Sequence, residues 1–316
     1  MHFKIKTIPL SSIDSEDNTY RVTTKTRLDD LVNSINKVGL INLPLLIERE
    51  SDFITVCGFR RIEACRYLGW AALDAKILDS GTNRLQCVKI AIADNALQRQ
   101  LNLIEKSKAL NMLSSFYEDS ISLSKAASTL DLPENPSLIK KIKNIFRLSL
   151  PIQDYILSNT ISLSMAVELG MLEQDAGILL ANLFHEFKLS LNKQKEIITL
   201  IKEIAFRENI SIMEVLRKCG FPDILNREDI DRTQKVKKIR AYLKQRRFPE
   251  ITRAKKESEK NIKELKLGSG IKLIPPADFE GQTYMLNLRF NTIKELQERA
   301  VELNNIVKNP ILEKIL

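Results

Sequence analysis

Residues 57–69 read CGFRRIEACRYLG and hold the residue types of an anion site. Phe53 to Cys57 form a β-type run and Gly58 follows as a turn residue. Arg60 and Arg61 come next, and Ile62, Cys65 and Leu68 then repeat at helical spacing up to Gly69. In a strand–glycine–helix arrangement the glycine lets main chain come close to a ligand. The helix start supplies N–H groups, and guanidinium forks take phosphate oxygens. Standing alone, such a turn is more often a solvated surface feature. The rest of the chain decides what it means.

Composition narrows the classes. The 316 residues are 44% hydrophobic and 28% charged, which suits a soluble globular protein of two or three domains. The start, MHFKIKTIPL, is too short and too charged for a signal-peptide core, and no run is long enough to span a bilayer, so no membrane partner is expected. Four cysteines (Cys57, Cys65, Cys87, Cys219) show no CxxC pairing, as for unpaired thiols in a reduced, cytoplasmic setting. Two histidines, His2 and His185, speak against a zinc site and against most histidine-based catalysis.

The net charge of +9 is concentrated. Residues 1–134 and 257–316 are each neutral and 154–234 carry −4, whereas 135–153 carry +4 and 235–256 carry +9. Such clustering points to a polyanion, with a solvated basic helix or linker as the bland alternative.

Several elements must position these residues. The first stretch reads as α+β. Leu28, Leu31, Val32, Ile35 and Val38 keep helical spacing and Gly39 ends that helix. LPLLIE (43–48) and FITVC (53–57) form a hairpin across the polar turn RESD, and a third apolar run extends from Ala71 to Leu78. From Asn83 to about 247 the pattern is helical.

Within that region, residues 122–148 read as two short helices at a tight connection. Asn135 is an N-cap and Pro136 the first helical residue of the second. Ile139, Ile142, Ile145 and Phe146 face inward and leave Ser137, Lys140, Lys141, Lys143, Asn144 and Arg147 outside. This is the helix-turn-helix pattern, whose second helix offers polar side chains to the major groove; a plain helical hairpin with a basic face is the alternative. Ser137, Lys140, Lys141 and Asn144 are the candidate base-reading residues, with Lys143 and Arg147 for phosphate.

The tail reads as a ββα unit. IKLI (271–274) and TYMLNLRF (283–290) are strands, the second with Tyr284, Leu286, Leu288 and Phe290 on one face. Asn291 and Thr292 cap a last helix with Ile293, Leu296, Ala300, Leu303 and Val307 in one stripe. So small a unit buries too little to stand unaided, and a homodimer is the expected solution.

In combination, these features resemble the ParB family of DNA-partition proteins. The family's G-E-R-R-x-R-A box aligns with Gly58-Phe59-Arg60-Arg61-Ile62-Glu63-Ala64. Its E-N-x-x-R-x-D-L-N-P-x-E box aligns with Asp94-Asn95-Ala96-Leu97-Gln98-Arg99-Gln100-Leu101-Asn102-Leu103-Ile104-Glu105, and its G-L-x-Q-P segment with Gly39 to Pro44. The resemblance covers residues 8 to about 170. It implies a ParB/sulfiredoxin-like nucleotide-binding domain (1–112), an all-α helix-turn-helix domain (113–234), and a basic helical linker with a small dimerisation domain (235–316).

It further implies a CTP- and magnesium-gated dimeric clamp on double-stranded DNA at a centromere-like site of a chromosome or plasmid, with a ParA-type ATPase as partner. Gly58, Arg60 and Arg61 would hold the triphosphate, Asp94 and Asn95 the magnesium ion, and Arg21, in an N-x-Y-R stretch, would reach the nucleotide. The 235–256 segment would add affinity without sequence preference.

Two departures bear on chemistry. Phe59 replaces the Glu associated with hydrolysis, which leaves at most a weak CTPase. Gln98 takes the second box's Arg position with Arg99 one residue on, and a single-residue shift on a helix turns a side chain by about 100°. Sulfiredoxin chemistry is not expected, because the reactive cysteine of those proteins falls at Phe59. Two other readings stay open: a transcriptional regulator of a mobile element, and a metal-dependent nuclease.

Overall fold

The structure, a computed structural model, describes residues 2–49, 52–218, 220–276 and 281–315; Cys219 and the turn residues Glu50 and Ser51 lie outside them. The chain divides into two compact units, 1–191 and 192–316.

The first unit begins with β1 (Phe3–Pro9), α1 (Asp29–Val38), β2 (Leu45–Arg49), β3 (Asp52–Cys57), α2 (Phe59–Tyr67) and β4 (Ala72–Leu78). The strands form one sheet in the order β1-β4-β2-β3. The β2–β3 hairpin is antiparallel, β4 returns parallel to β2 after the α2 crossover, and β1 adds antiparallel to β4. Strand β1 escapes the sequence reading because it is an edge strand whose side chains, Ile8 apart, are exposed, so no buried alternation announces it.

Alternation on β2 sends Leu46 to one face and Leu45 to the other. Leu46, Leu73, Ala75 and Ile77 pack with Ile35 of α1 and with Ile62, Ala64 and Cys65 of α2. Leu45, Val56 and Leu78 pack against α3 (Arg84–Ala96) and α4 (Leu103–Ser114) through Val88, Ala91, Ile92, Leu110 and Leu113.

That second core continues, through Leu123 and Ala127 of α5 (Ser120–Ser128), to Ile139 and Ile142 of α6 (Pro136–Ile142). Each fully buried Leu or Ile here contributes about 1.5–3 kcal/mol, which binds sheet and helices into one body. A boundary between 112 and 113 therefore falls inside α4, within a shared core. The helices α7 (Leu150–Leu157), α8 (Leu163–Gly170) and α9 (Gln174–Glu186) complete this unit.

The second unit comprises α10 (Leu191–Glu208, starting at the junction), α11 (Ile212–Arg217), α12 (Phe221–Leu225), α13 (Arg232–Arg247), α14 (Pro249–Glu264), β5 (Ile271–Ile274), β6 (Met285–Leu288), α15 (Ile293–Val307) and α16 (Pro310–Ile315). A boundary between 234 and 235 falls inside α13, and helix resumes past Phe248 to Glu264. Strand β6 is shorter than the run 283–290: at its start Pro275 and Pro276, which lack N–H donors, end its partner β5 after Ile274, and at its end the ladder stops where β5 begins at Ile271. Leu265, Leu273 and Ile315 form a small core with Tyr284 and Leu286 against it. Ile306 of α15 is buried, while Ile293 and Val307 are 77% and 63% exposed. Among the described residues no helix is long and apolar enough to cross a membrane.

Candidate functional site

Gly58 joins β3 to α2 with φ +94° and ψ 22°, the left-handed region that a side chain disfavours. The hairpin's bulge at Leu45/Leu46 sets this corner against the chain entering β2. A Cβ on Gly58 would stand 2.9 Å from Pro44 Cβ and 3.0 Å from Pro44 Cα, so the backbones meet as only glycine allows. The first-turn N–H groups of α2 therefore open beside the 42–44 loop, without a side-chain cap from Gly58.

A cleft of about 240 Å³ lies here, lined by Gly58, Phe59, Arg60 and Arg61 from one box and by Asp94, Asn95, Gln98 and Arg99 from the other. Arg61 holds the corner together. Its Nη1 donates to the main-chain oxygens of Asn42 at 2.9 Å and Leu43 at 3.1 Å, and Nη2 donates to Asp94 Oδ2 at 3.3 Å. Arg60 Nη2 reaches Arg27 O at 2.5 Å, yet its buried Nε has no partner. An unsatisfied buried guanidinium N–H costs energy unless something arrives to accept it.

The sequence groups Gly58, Arg60, Arg61, Asp94 and Asn95, and the fold brings these five together. Arg21 stands apart from the cleft lining. Its Nη1 donates to Glu63 Oε1 at 2.5 Å and its guanidinium lies 5.5 Å from the centre of the Phe59 ring. The 100° rotation anticipated between Gln98 and Arg99 does not apply, because α3 ends at Ala96 and both residues line the cleft from the turn that follows. Gln98 Nε2 donates to Asp94 Oδ1 at 3.3 Å.

Sequence reading missed the function of Glu105. This carboxylate is fully buried and accepts Arg99 Nη1 and Nη2 at 2.6 and 2.7 Å, Thr24 N at 2.9 Å and Asn102 N at 3.0 Å. Burial opposes its charge, but the bonds from Arg99, Thr24 and Asn102 prevail and hold its pKa at about 2. Glu105 thus pins the 23–24 segment and Arg99 to the start of α4. The Asn102-x-x-Glu105 capping box was the available signal.

Cys57, next to Gly58, is buried, and its thiol is pushed up to about 12 by burial and by the Asp94 carboxylate. Burial also raises the thiols of Cys65 and Cys87. All three are free thiols buried as packing residues. Among the described residues no group of three or more His, Cys, Asp or Glu side chains forms a metal cluster.

In the helical part, Asn135 Oδ1 accepts Leu138 N at 3.1 Å and Pro136 opens α6, as the capping pattern predicts. Ser107 of α4, fully buried, donates to Ile142 O at 2.6 Å and accepts from Phe146 N at 3.0 Å, which fixes the end of α6 against the core. Ser137, Lys140, Lys141, Asn144 and Arg147 are exposed and Lys143 is half-buried. The second helix is shorter than the sequence suggests. It ends at Ile142, so Lys143 and Asn144 lie on the turn beyond it and Arg147 on a single 3-10 turn.

Residues 2–96 match the family model described as the ParB N-terminal domain. The chain carries the N-terminal domain of the ParB family. A probable chromosome-partitioning protein ParB from Campylobacter jejuni is 26% identical over 231 residues, 67% of this chain and 79% of that protein. A nucleoid occlusion protein from Halalkalibacterium halodurans is 27% identical over 150 residues, 48% of this chain and 51% of that protein. A crystal structure of the C-terminally truncated chromosome-partitioning protein ParB from Caulobacter crescentus complexed with CTP-gamma-S is 19% identical, covering 57% of this chain and 98% of that one with a TM-score of 0.27. Against the ParB box, Phe59 and Glu63 stand at the Glu and third Arg positions, one helical turn apart, and Arg21 engages both.

Proposed function

We propose that this chain is a ParB-type DNA-binding partition protein of the nucleoid or a plasmid, whose N-terminal cleft takes a magnesium–nucleoside triphosphate, CTP by family resemblance. The observation that carries the reading is the buried Nε of Arg60, without a partner among the described residues, in a cleft where a Cβ on Gly58 would stand only 3.0 Å from Pro44 Cα. Both features are suited to phosphate oxygens. Asp94 and Asn95 fit magnesium, which takes one or two carboxylates and completes its shell with waters and phosphate oxygens. Asn95 uses its Nδ2 on Ala91 O at 2.9 Å, which leaves its oxygen for a ligand. The bound group would supply charge that draws Arg60 and Arg61 together. Phe59 offers no general base and Glu63 is engaged by Arg21, so turnover is slow and the cleft works as a binding switch.

Isothermal titration of the full chain with CTP, ATP and GTP, with and without magnesium, tests this. Magnesium-dependent binding of CTP in preference to the other two is the expected result, and a chain that binds no nucleotide removes the gate.

Double-stranded DNA is the proposed partner of α6, and Ser137, Lys140, Lys141, Lys143, Asn144 and Arg147 are its candidate contacts. Replacing Lys140 and Lys141 together by Ala is expected to weaken duplex binding at least tenfold and to lower the salt slope by about 2. Fluorescence anisotropy across a salt series measures both. Unchanged binding would leave α5 and α6 as a plain helical hairpin.

The α15 stripe is the proposed homodimer seam, since Ile293 and Leu296 are 77% and 39% exposed where a lone unit would bury them. Ile293→Asp with Leu296→Asp is expected to shift a dimer to monomer in analytical ultracentrifugation. A dimer unaffected by the pair places the seam elsewhere. A ParA-type ATPase remains the proposed protein partner, on resemblance alone.

A further inference from the structure

Residues 21–28 carry neither helix nor strand and run past the cleft from the buried Tyr20 to the start of α1. Val22 and Thr23 are buried and line the cleft. A segment with no hydrogen-bond ladder of its own needs side-chain fastenings to hold a wall in place. Here they go to both boxes. Toward the second box, Thr24 N and Oγ1 donate to Glu105 Oε1 at 2.9 and 3.2 Å, and Asn102 Nδ2 donates to Thr24 Oγ1 at 2.8 Å. Toward the first box, Arg27 O accepts Arg60 Nη2 at 2.5 Å, and Arg21 Nη1 donates to Glu63 Oε1 at 2.5 Å.

The Arg21 fastening is built from the residues at which this chain departs from the ParB box. Phe59 and Glu63 lie one turn apart on α2, and the Arg21 guanidinium meets both, 5.5 Å from the centre of the Phe59 ring. The Arg21 side chain is 23% exposed and that of Glu63 31%, so the pair is screened less than one on the open surface. An unpaired carboxylate in the first two turns of α2 would repel a triphosphate at the helix start, whereas paired with Arg21 it is neutral. Moving Arg21 onto a phosphate would uncover that charge beside the ligand and free one end of the wall.

We propose that Arg21 is a positioning residue of the nucleotide cleft. Through Glu63 and Phe59 it holds the 21–27 strap across the two boxes, and it does not touch the triphosphate. The assignment rests on the nucleotide reading above. It reverses the role that the resemblance implies for Arg21, in which that residue reaches the nucleotide itself. It also makes Phe59 and Glu63 a matched pair of replacements, a ring and a carboxylate that together seat one guanidinium.

The test uses two variants of the full chain that keep its net charge. Arg21→Ala with Glu63→Ala deletes the pair, and Arg21→Glu with Glu63→Arg reverses it. Glu63→Arg alone controls for a new arginine on α2. Magnesium–CTP affinity is measured by calorimetric titration, beside amide hydrogen exchange of residues 21–27 without nucleotide and thermal melting. The deletion is expected to weaken binding about tenfold and to speed exchange along the strap, with the melting temperature little changed. The reversal is expected to bring affinity and exchange back to within about threefold of the wild type. A reversal that restores exchange but binds as weakly as the deletion would mean that Arg21 meets the nucleotide directly. Wild-type affinity in the deletion, or unchanged exchange, would reduce the pair to a surface contact. Tighter binding by Glu63→Arg alone would assign the recovery to the new arginine. Each of these overturns the proposal while the wild type still binds magnesium–CTP, so the nucleotide reading survives; a wild type that binds none sinks both.

Discussion

Glu105→Ala is expected to destabilise the protein by about 3–5 kcal/mol, the range for removing one partner of a buried, hydrogen-bonded charge pair. The side chain is fully buried and accepts five bonds from Arg99, Thr24 and Asn102, all of which lose their acceptor at once. In a unit of this size the loss lowers the melting temperature by roughly 10 °C. The sign of the pH dependence follows from the depressed pKa. The folded value of about 2 lies below the unfolded 4.5, so the stabilisation is complete above pH 4.5 and disappears as pH falls toward 2. It amounts to about 3 kcal/mol. Denaturant titrations of wild type and Glu105→Gln between pH 7 and pH 2 check this. The gap between the two proteins should narrow on acidification; a gap independent of pH would mean that the carboxylate acts by shape alone.

Arg60 and Arg61 are adjacent in the sequence but should respond differently to truncation. Arg60→Ala removes a guanidinium with an unpartnered buried Nε and a single bond to Arg27 O. Its loss is expected to weaken magnesium–CTP binding about 10- to 100-fold, the worth of one charge-assisted contact, and to change stability by less than about 1 kcal/mol. Arg61→Ala should reduce binding at least as much. It should also cost about 2 kcal/mol of stability, because the oxygens of Asn42 and Leu43 and the Asp94 carboxylate lose their donor. Calorimetric titration and thermal melting of both variants separate the two effects. Equal stability losses would mean that Arg60 is a structural residue and that the anion-site argument fails.

Relatives with this N-terminal domain include both a partitioning protein and a nucleoid occlusion protein.

Most of the site was legible before any coordinates because its signals are local. A left-handed turn selects Gly58, a helix start follows it, and capping chemistry marks Asn135-Pro136 and Asn102-x-x-Glu105. Strands β2, β3 and β4 announced themselves as short apolar runs, as strands of a sheet covered on both faces do. The two short helices α5 and α6 and the exposed Ser137, Lys140 and Lys141 were likewise written in the 3.6-residue period.

What periodicity could not decide were pairings between residues distant in sequence. Arg21 goes to Glu63 and Phe59 rather than to the cleft lining, and Arg99 goes to Glu105 once α3 stops at Ala96. The strongly basic run 235–256 looked like one polyanion contact, because net charge counts residues and ignores their partners. Packing α13 against Glu196, Glu203 and Glu208 consumed much of that charge. The sequence by itself determined the order of elements in the first unit and the residue types of the cleft at Gly58. Only the tertiary structure decided which charges are spent inside the molecule and which remain for a ligand, because an ion pair is a matter of distance in space.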